Sequence, residues 1–119
     1  MGEMISEHFS REEIACRCGC GQCIVDVSAI SKLEFVWARF MRAVNVESGN
    51  RCPAHNVECG GVADSQHLYG KAFDIYVKDI PLDSIAKAGR QAGFTGIGIY
   101  YNKNFVHLDT GPAREWMEE

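Results

Sequence analysis

The chain has 119 residues, 46% apolar and 24% charged, which fits one soluble globular domain spanning 1–119. Its formal net charge of −4 argues against nucleic acid or an anionic membrane surface as the main partner. No run approaches the roughly 18–20 apolar residues of a membrane span.

Met1-Gly2-Glu3-Met4-Ile5-Ser6-Glu7 lacks the basic-then-apolar build of a signal peptide. The chain is therefore expected in the cytoplasm at synthesis, with release by cell lysis or carriage in a particle as routes outward. Met1-Gly2 with Ser6 touches the N-myristoylation pattern, but Glu3 and Glu7 flank it and no basic patch assists an anchor. A short helix begins near Ser10, which can cap it with Glu13 at the third helical position.

Six cysteines follow an ambiguous logic. Cys16, Cys18, Cys20 and Cys23 crowd an aperiodic loop spanning 16–23, and Cys20-x-x-Cys23 has metal-ligand spacing. A closed site needs a second knuckle, which only Cys52 and Cys59 can supply. Free thiols, disulfides and a structural metal are all compatible with this pattern. No strand-to-helix unit surrounds Cys20-x-x-Cys23, so a redox role is not expected.

Asp26 to Arg42 carries the clearest helical period. Ile30, Leu33, Val36, Trp37, Phe40 and Met41 recur at helical spacing and predict one core-facing stripe. A strand is expected over Ala43–Ser48, with Arg51 at its exit. Arginine presents a planar fork that can hold a carboxylate through two parallel hydrogen bonds. Pro53 opens a short helical turn with His55 and Asn56, where His55 is expected to be structural.

The centre of the chain is Ser65-Gln66-His67-Leu68-Tyr69-Gly70-Lys71-Ala72-Phe73-Asp74. Strand alternation over Ala72–Val77 puts Phe73, Ile75 and Val77 on one face and Asp74 on the other. Gly70 allows a sharp turn that carries His67 back over Asp74. Ser65 can orient His67 or Asp74 through its hydroxyl, or meet substrate.

A second helix is predicted over Leu82–Ala92, stopped by Gly93. The strand Gly96–Tyr100 then pairs through a polar turn with Phe105–Asp109, whose alternation puts His107 and Asp109 on one face. Side by side, the strands bring His67, Asp74 and His107 to one point. Two imidazoles, a carboxylate and an open position form the ligand set of a catalytic zinc site. The fold expected is α+β, a small and mostly antiparallel sheet with helices on one face. Trp116, beyond the Thr110-Gly111-Pro112 turn, is expected as a lid on the core.

Ser-x-His-x-x-Gly-x-Ala-x-Asp followed by Phe-Val-His-Leu-Asp resembles the zinc D-Ala-D-Ala carboxypeptidases and related murein peptidases. That wider group includes lysostaphin-type endopeptidases, vancomycin-resistance D,D-dipeptidases and hedgehog zinc domains. The resemblance runs over roughly residues 48–116 and takes in Ser48-Gly49-Asn50-Arg51-Cys52-Pro53, Gly60-Gly61-Val62-Ala63-Asp64 and Gly96-Ile97-Gly98-Ile99-Tyr100. It implies a hedgehog/DD-peptidase-like fold, a Zn2+ cofactor on His67, Asp74 and His107, and a peptidoglycan stem peptide containing D-amino acids as substrate. It also implies that Arg51 binds a substrate carboxylate. The lack of a signal-peptide pattern points to a phage lysis or tail-associated wall enzyme, with a bacterial cytoplasmic recycling peptidase as the alternative, and a monomer is expected.

The chain departs from its relatives at Asn104, where they carry an acidic residue three positions before the last zinc histidine. Asp109 is the substitute, either as general base or as a residue that orients His107. The alternative from another class is a zinc-binding module of hedgehog-like fold that acts in binding or structure without catalysis.

Overall fold

Period-two alternation decides which side of the sheet is dry. In the computed structural model, which describes residues 3–119, the strands are β1 (Asn45–Ser48), β2 (Ala72–Tyr76), β3 (Gly96–Tyr100), β4 (Phe105–Asp109) and β5 (Arg114–Glu118). They form one sheet in the order β1-β2-β4-β3-β5. Phe73 and Ile75 of β2, Ile97 and Ile99 of β3, and Val106 and Leu108 of β4 all turn to one side and are buried. Burial of each such side chain contributes about 1.5–3 kcal/mol. A one-residue slip of β2 or β4 would exchange them for Asp74 or His107, so the core itself fixes the register.

Helices α2 (Val27–Phe40) and α4 (Leu82–Ala92) cover that apolar face. Small residues bring α4 close: a Cβ on Gly89 would collide with the Leu108 methyl groups. Asp26 caps α2 by accepting from Ala29 N at 3.0 Å. Gly93 closes α4 in the left-handed region, as the sequence predicts. Helix α1 (Arg11–Ile14) carries the expected capping box between Ser10 and Glu13, and α3 (Pro53–Glu58) starts on Pro53.

The sheet is mixed rather than purely antiparallel. β1–β2, β2–β4 and β3–β4 pair antiparallel, but β5 joins β3 in parallel. Sequence reading assigns no strand there, because Arg114-Glu115-Trp116-Met117-Glu118 offers an edge strand little apolar surface to announce itself. The expected stripe on α2 also ends early. Met41 takes a left-handed cap conformation with φ 51° and is 74% exposed. The strand expected from Ala43 begins only at Asn45. Met1-Gly2, on which the acylation pattern rests, lies outside the described residues. Among the described residues, no helix is long and apolar enough to cross a membrane.

Candidate metal centre

On the face turned away from the helices, the register builds a row. Asp74 stands opposite His107, His107 opposite Gly98, and Gly98 opposite Trp116. Gly98 keeps this row flat, since a Cβ there would run into the Trp116 indole. That ring lies 5.3 Å from the His107 ring. Trp116 is therefore not a lid on the core; it forms a wall beside His107, because the parallel pairing of β5 turns it to the polar face.

His67 reaches the row from above. It sits on a 3-10 turn, Gln66–Tyr69, capped by Ser65 Oγ, which accepts from His67 N at 3.2 Å. Gly70 ends the turn at φ 69°, the sharp reversal expected of it. His67 Nδ1 donates to the Gly49 carbonyl at 2.7 Å, which leaves Nε2 facing Asp74 Oδ2 at 3.3 Å. Asn50 braces the same segment, donating from Nδ2 to His67 O at 3.0 Å and accepting from Ile24 N at 2.9 Å.

His107 is held at both ring nitrogens. Nδ1 meets Asp74 Oδ1 at 3.0 Å and Nε2 meets Asp109 Oδ2 at 2.6 Å. Asp109 is wholly buried, also accepts from Gly111 N at 2.8 Å, and is absent from the cavity wall. A Cβ on the facing Gly96 would overlap its carboxylate. Asp109 thus shares a strand face with His107, as expected, but lies behind the imidazole rather than in front of it.

The side chains of His67, Asp74 and His107 converge, with one potential ligand atom from each within 4.8 Å of the others. Burial by itself raises the Asp74 pKa, but hydrogen bonds with His107 and His67 outweigh it and hold the carboxyl well below its usual range. Burial lowers the His107 pKa, and the hydrogen bonds with Asp109 and Asp74 outweigh that and raise it. Burial raises and the contact with His107 lowers Asp109, with a net decrease. A buried carboxylate with two histidine nitrogens aimed at it is the donor chemistry of a divalent zinc site.

Arg51 closes one side. Its Nη2 lies 3.3 Å from Asp74 Oδ2, Nη1 donates to Asn56 Oδ1 at 3.2 Å, and Nε donates to Ser48 Oγ at 3.1 Å. The guanidinium is expected from sequence at the strand exit and is found there, 12% exposed and already in contact with Asp74. His55, as expected, stays away from the row and meets Glu58 and Cys59.

The row opens onto a cavity of about 540 Å3 lined by Arg51, Ser65, His67, Tyr100, Arg114 and Trp116 among others. Arg114 stacks over Trp116, 4.5 Å from the ring centroid, and Trp116 Nε1 donates to Tyr100 Oη at 3.0 Å. Asn104 lies in the hairpin turn with φ 59°, a left-handed conformation that asparagine tolerates well. Sequence reading misses Asn50, Asn56 and the Gly49 carbonyl. The first two look like loop amides, and a backbone acceptor has no side-chain signature.

Three potential donors on the floor of an open cavity fit a mononuclear metal site with room for a further ligand. A family model described as Peptidase M15 matches residues 7–109, and the chain belongs to that family. It is 47% identical over 57 residues to the peptidoglycan L,D-endopeptidase MepK of Escherichia coli (strain K12), covering 47% of this chain and 31% of that protein. A probable peptidoglycan L,D-endopeptidase MepK of Haemophilus influenzae is 40% identical over 57 residues, covering 47% of this chain and 31% of that protein. The zinc D-Ala-D-Ala carboxypeptidase of Streptomyces albus G is 31% identical over 78 residues, 63% of this chain and 31% of that protein. The match spans about a third of the length of these relatives.

Proposed function

We propose that this protein is a zinc-dependent peptidase acting on peptidoglycan stem peptides that contain D-amino acids, with His67, Asp74 and His107 holding the ion. One observation carries the reading: three buried donors from separate segments meet on a cavity floor, with both histidines braced from behind. Zinc bound there supplies Lewis acidity, polarising a peptide carbonyl and making water a nucleophile near neutral pH.

The chain's own groups do the rest. The Gly49 carbonyl fixes the His67 tautomer. Asp109 holds His107 by Nε2 and so presents Nδ1, the carboxylate–histidine arrangement that raises ligand basicity. Its burial supports this positioning role over direct proton transfer. Arg51 and Arg114 give the cavity two guanidinium groups, and Arg51 is the one proposed to bind a substrate carboxylate. Trp116 and Tyr100 offer flat apolar walls with one phenol at the edge. In this reading one domain, of the hedgehog/DD-peptidase type, acts as a monomer.

Relatives named for an L,D-endopeptidase and for a D-Ala-D-Ala carboxypeptidase leave two bonds to test. Purified protein with zinc is expected to cleave defined muropeptides, and mass analysis of the products identifies the bond. Intact muropeptides in every case would end the proposal. The second reading, a zinc-binding module without catalysis, is favoured by Asn104 and by the burial of Asp109. It predicts zinc-dependent retention of muropeptides with no products.

A further inference from the structure

A second cluster of potential ligands lies outside the cavity wall. Cys16 Sγ is 3.4 Å from Cys18 Sγ, and Cys18 Sγ is 3.6 Å from Cys52 Sγ. With Cys20 included, the four sulfurs fall within 4.8 Å of one another. Four sulfurs around zinc at about 2.3 Å stand about 3.8 Å apart at the corners of a tetrahedron. A disulfide instead draws two sulfurs to about 2.05 Å and leaves the others aside. Here Cys18 neighbours both Cys16 and Cys52, so the sulfurs form one group rather than two pairs.

The backbone treats these sulfurs as acceptors. Cys52 N donates to Cys16 Sγ at 3.3 Å, Gln22 N to Cys20 Sγ at 3.4 Å, and His55 N to Cys52 Sγ at 3.4 Å. Donors aimed at sulfur favour the thiolate. Burial raises the Cys16 thiol, but hydrogen bonds from the Cys18 and Cys52 backbone and side chains outweigh it and lower the pKa to about 6. A backbone hydrogen bond from Cys20 favours the Cys18 thiolate, yet hydrogen bonding with the Cys16, Cys20 and Cys52 sulfurs pushes Cys18 up to about 12.

We propose that Cys16, Cys18, Cys20 and Cys52 form a closed tetrahedral site for a structural zinc ion, distinct from the His67–Asp74–His107 centre. The Cys20-x-x-Cys23 spacing is not the one used. Cys23 packs against the core, and Cys59 Sγ meets His55 Nε2 at 3.4 Å. Each thiol that ligates gives up its proton on binding. The ion ties the loop at Cys16, Cys18 and Cys20 to Cys52, which directly follows Gly49-Asn50-Arg51. That tripeptide holds His67 through the Gly49 carbonyl, braces the turn through Asn50, and reaches Asp74 through Arg51. The second ion would therefore staple the segment that supports the first site.

Elemental analysis of the 119-residue chain purified with zinc and reductant is expected to give two equivalents. The His67→Ala/His107→Ala protein should retain one. Loaded with cobalt(II), that protein should show sulfur-to-cobalt charge-transfer absorption, and Cys18→Ser/Cys20→Ser should lose it. A histidine double variant without zinc, or without that absorption, overturns the proposal. Iron in place of zinc overturns it as well, as does peptide mapping that finds two of the four cysteines bridged. Should the cysteine variant fail to fold, the histidine variant decides alone, because its four thiols are intact.

Discussion

The His67–Asp74–His107 group and the Cys16–Cys18–Cys20–Cys52 group are built in opposite ways. The first stands mainly on strands, all three members are buried, and it offers three donors beside a cavity. The second stands on loops, two of its members are exposed, and it offers four potential donors. Three donors leave a coordination position for chemistry, whereas four close the sphere and leave only cohesion. The histidine–aspartate group borrows rigidity from the sheet, whereas the proposed cysteine site would create its own by cross-linking the loop to Cys52.

The contrast can be broken at several points. The largest effect is expected from His67→Ala or from a chelator, which should reduce muropeptide hydrolysis to background. His67→Ala should leave most thermal stability intact in a melting experiment. Cys20→Ser should do the reverse, costing about 3 kcal/mol or more in unfolding free energy, as loss of a structural metal does. Equal losses of stability in both variants would erase the distinction.

Asp109→Asn is expected to cost about 10–100-fold in zinc affinity or activity, the usual effect of disturbing a residue behind a metal ligand. Zinc titration with kcat separates the roles: unchanged zinc affinity with abolished kcat would make Asp109 the base after all. Gly98→Ala should cost about 1–3 kcal/mol by overpacking against Trp116. If Trp116 is a substrate wall, KM should rise with it.

Glu34 touches neither group and serves as the control. Burial raises its pKa, but hydrogen bonds from Ser6 Oγ, at 2.6 Å, and from His8 outweigh it and set the folded value below the ordinary 4.5. Its contribution is therefore present above the unfolded carboxylate pKa and lost as pH falls through the folded one. Glu34→Gln should cost about 1.5–3 kcal/mol at neutral pH and flatten the acid limb of stability, measured by urea unfolding across pH 3–6.

The convergence of His67, Asp74 and His107 was legible in the sequence because strand alternation is a local rule. Asp74 and His107 each sit between apolar neighbours whose burial forces them to the other face. Glycine at position 70 announced the turn for His67. Trp116 was not legible, since the parallel pairing of β5 depends on β3, 18 residues away in register. Nor was the burial of Asp109, which depends on Gly96 making room. The cysteine loop has no period to read, and whether Cys23, Cys52 or Cys59 completes a foursome is decided by folding of distant segments.

The single row shared by Asp74, His107, Gly98 and Trp116 also limits how this chain can change. The strands accept additions only in pairs. One extra residue in β4 ahead of His107 would point its imidazole at α4 and a leucine or valine at the cavity. Parity, more than length, is the inherited constraint on this sheet.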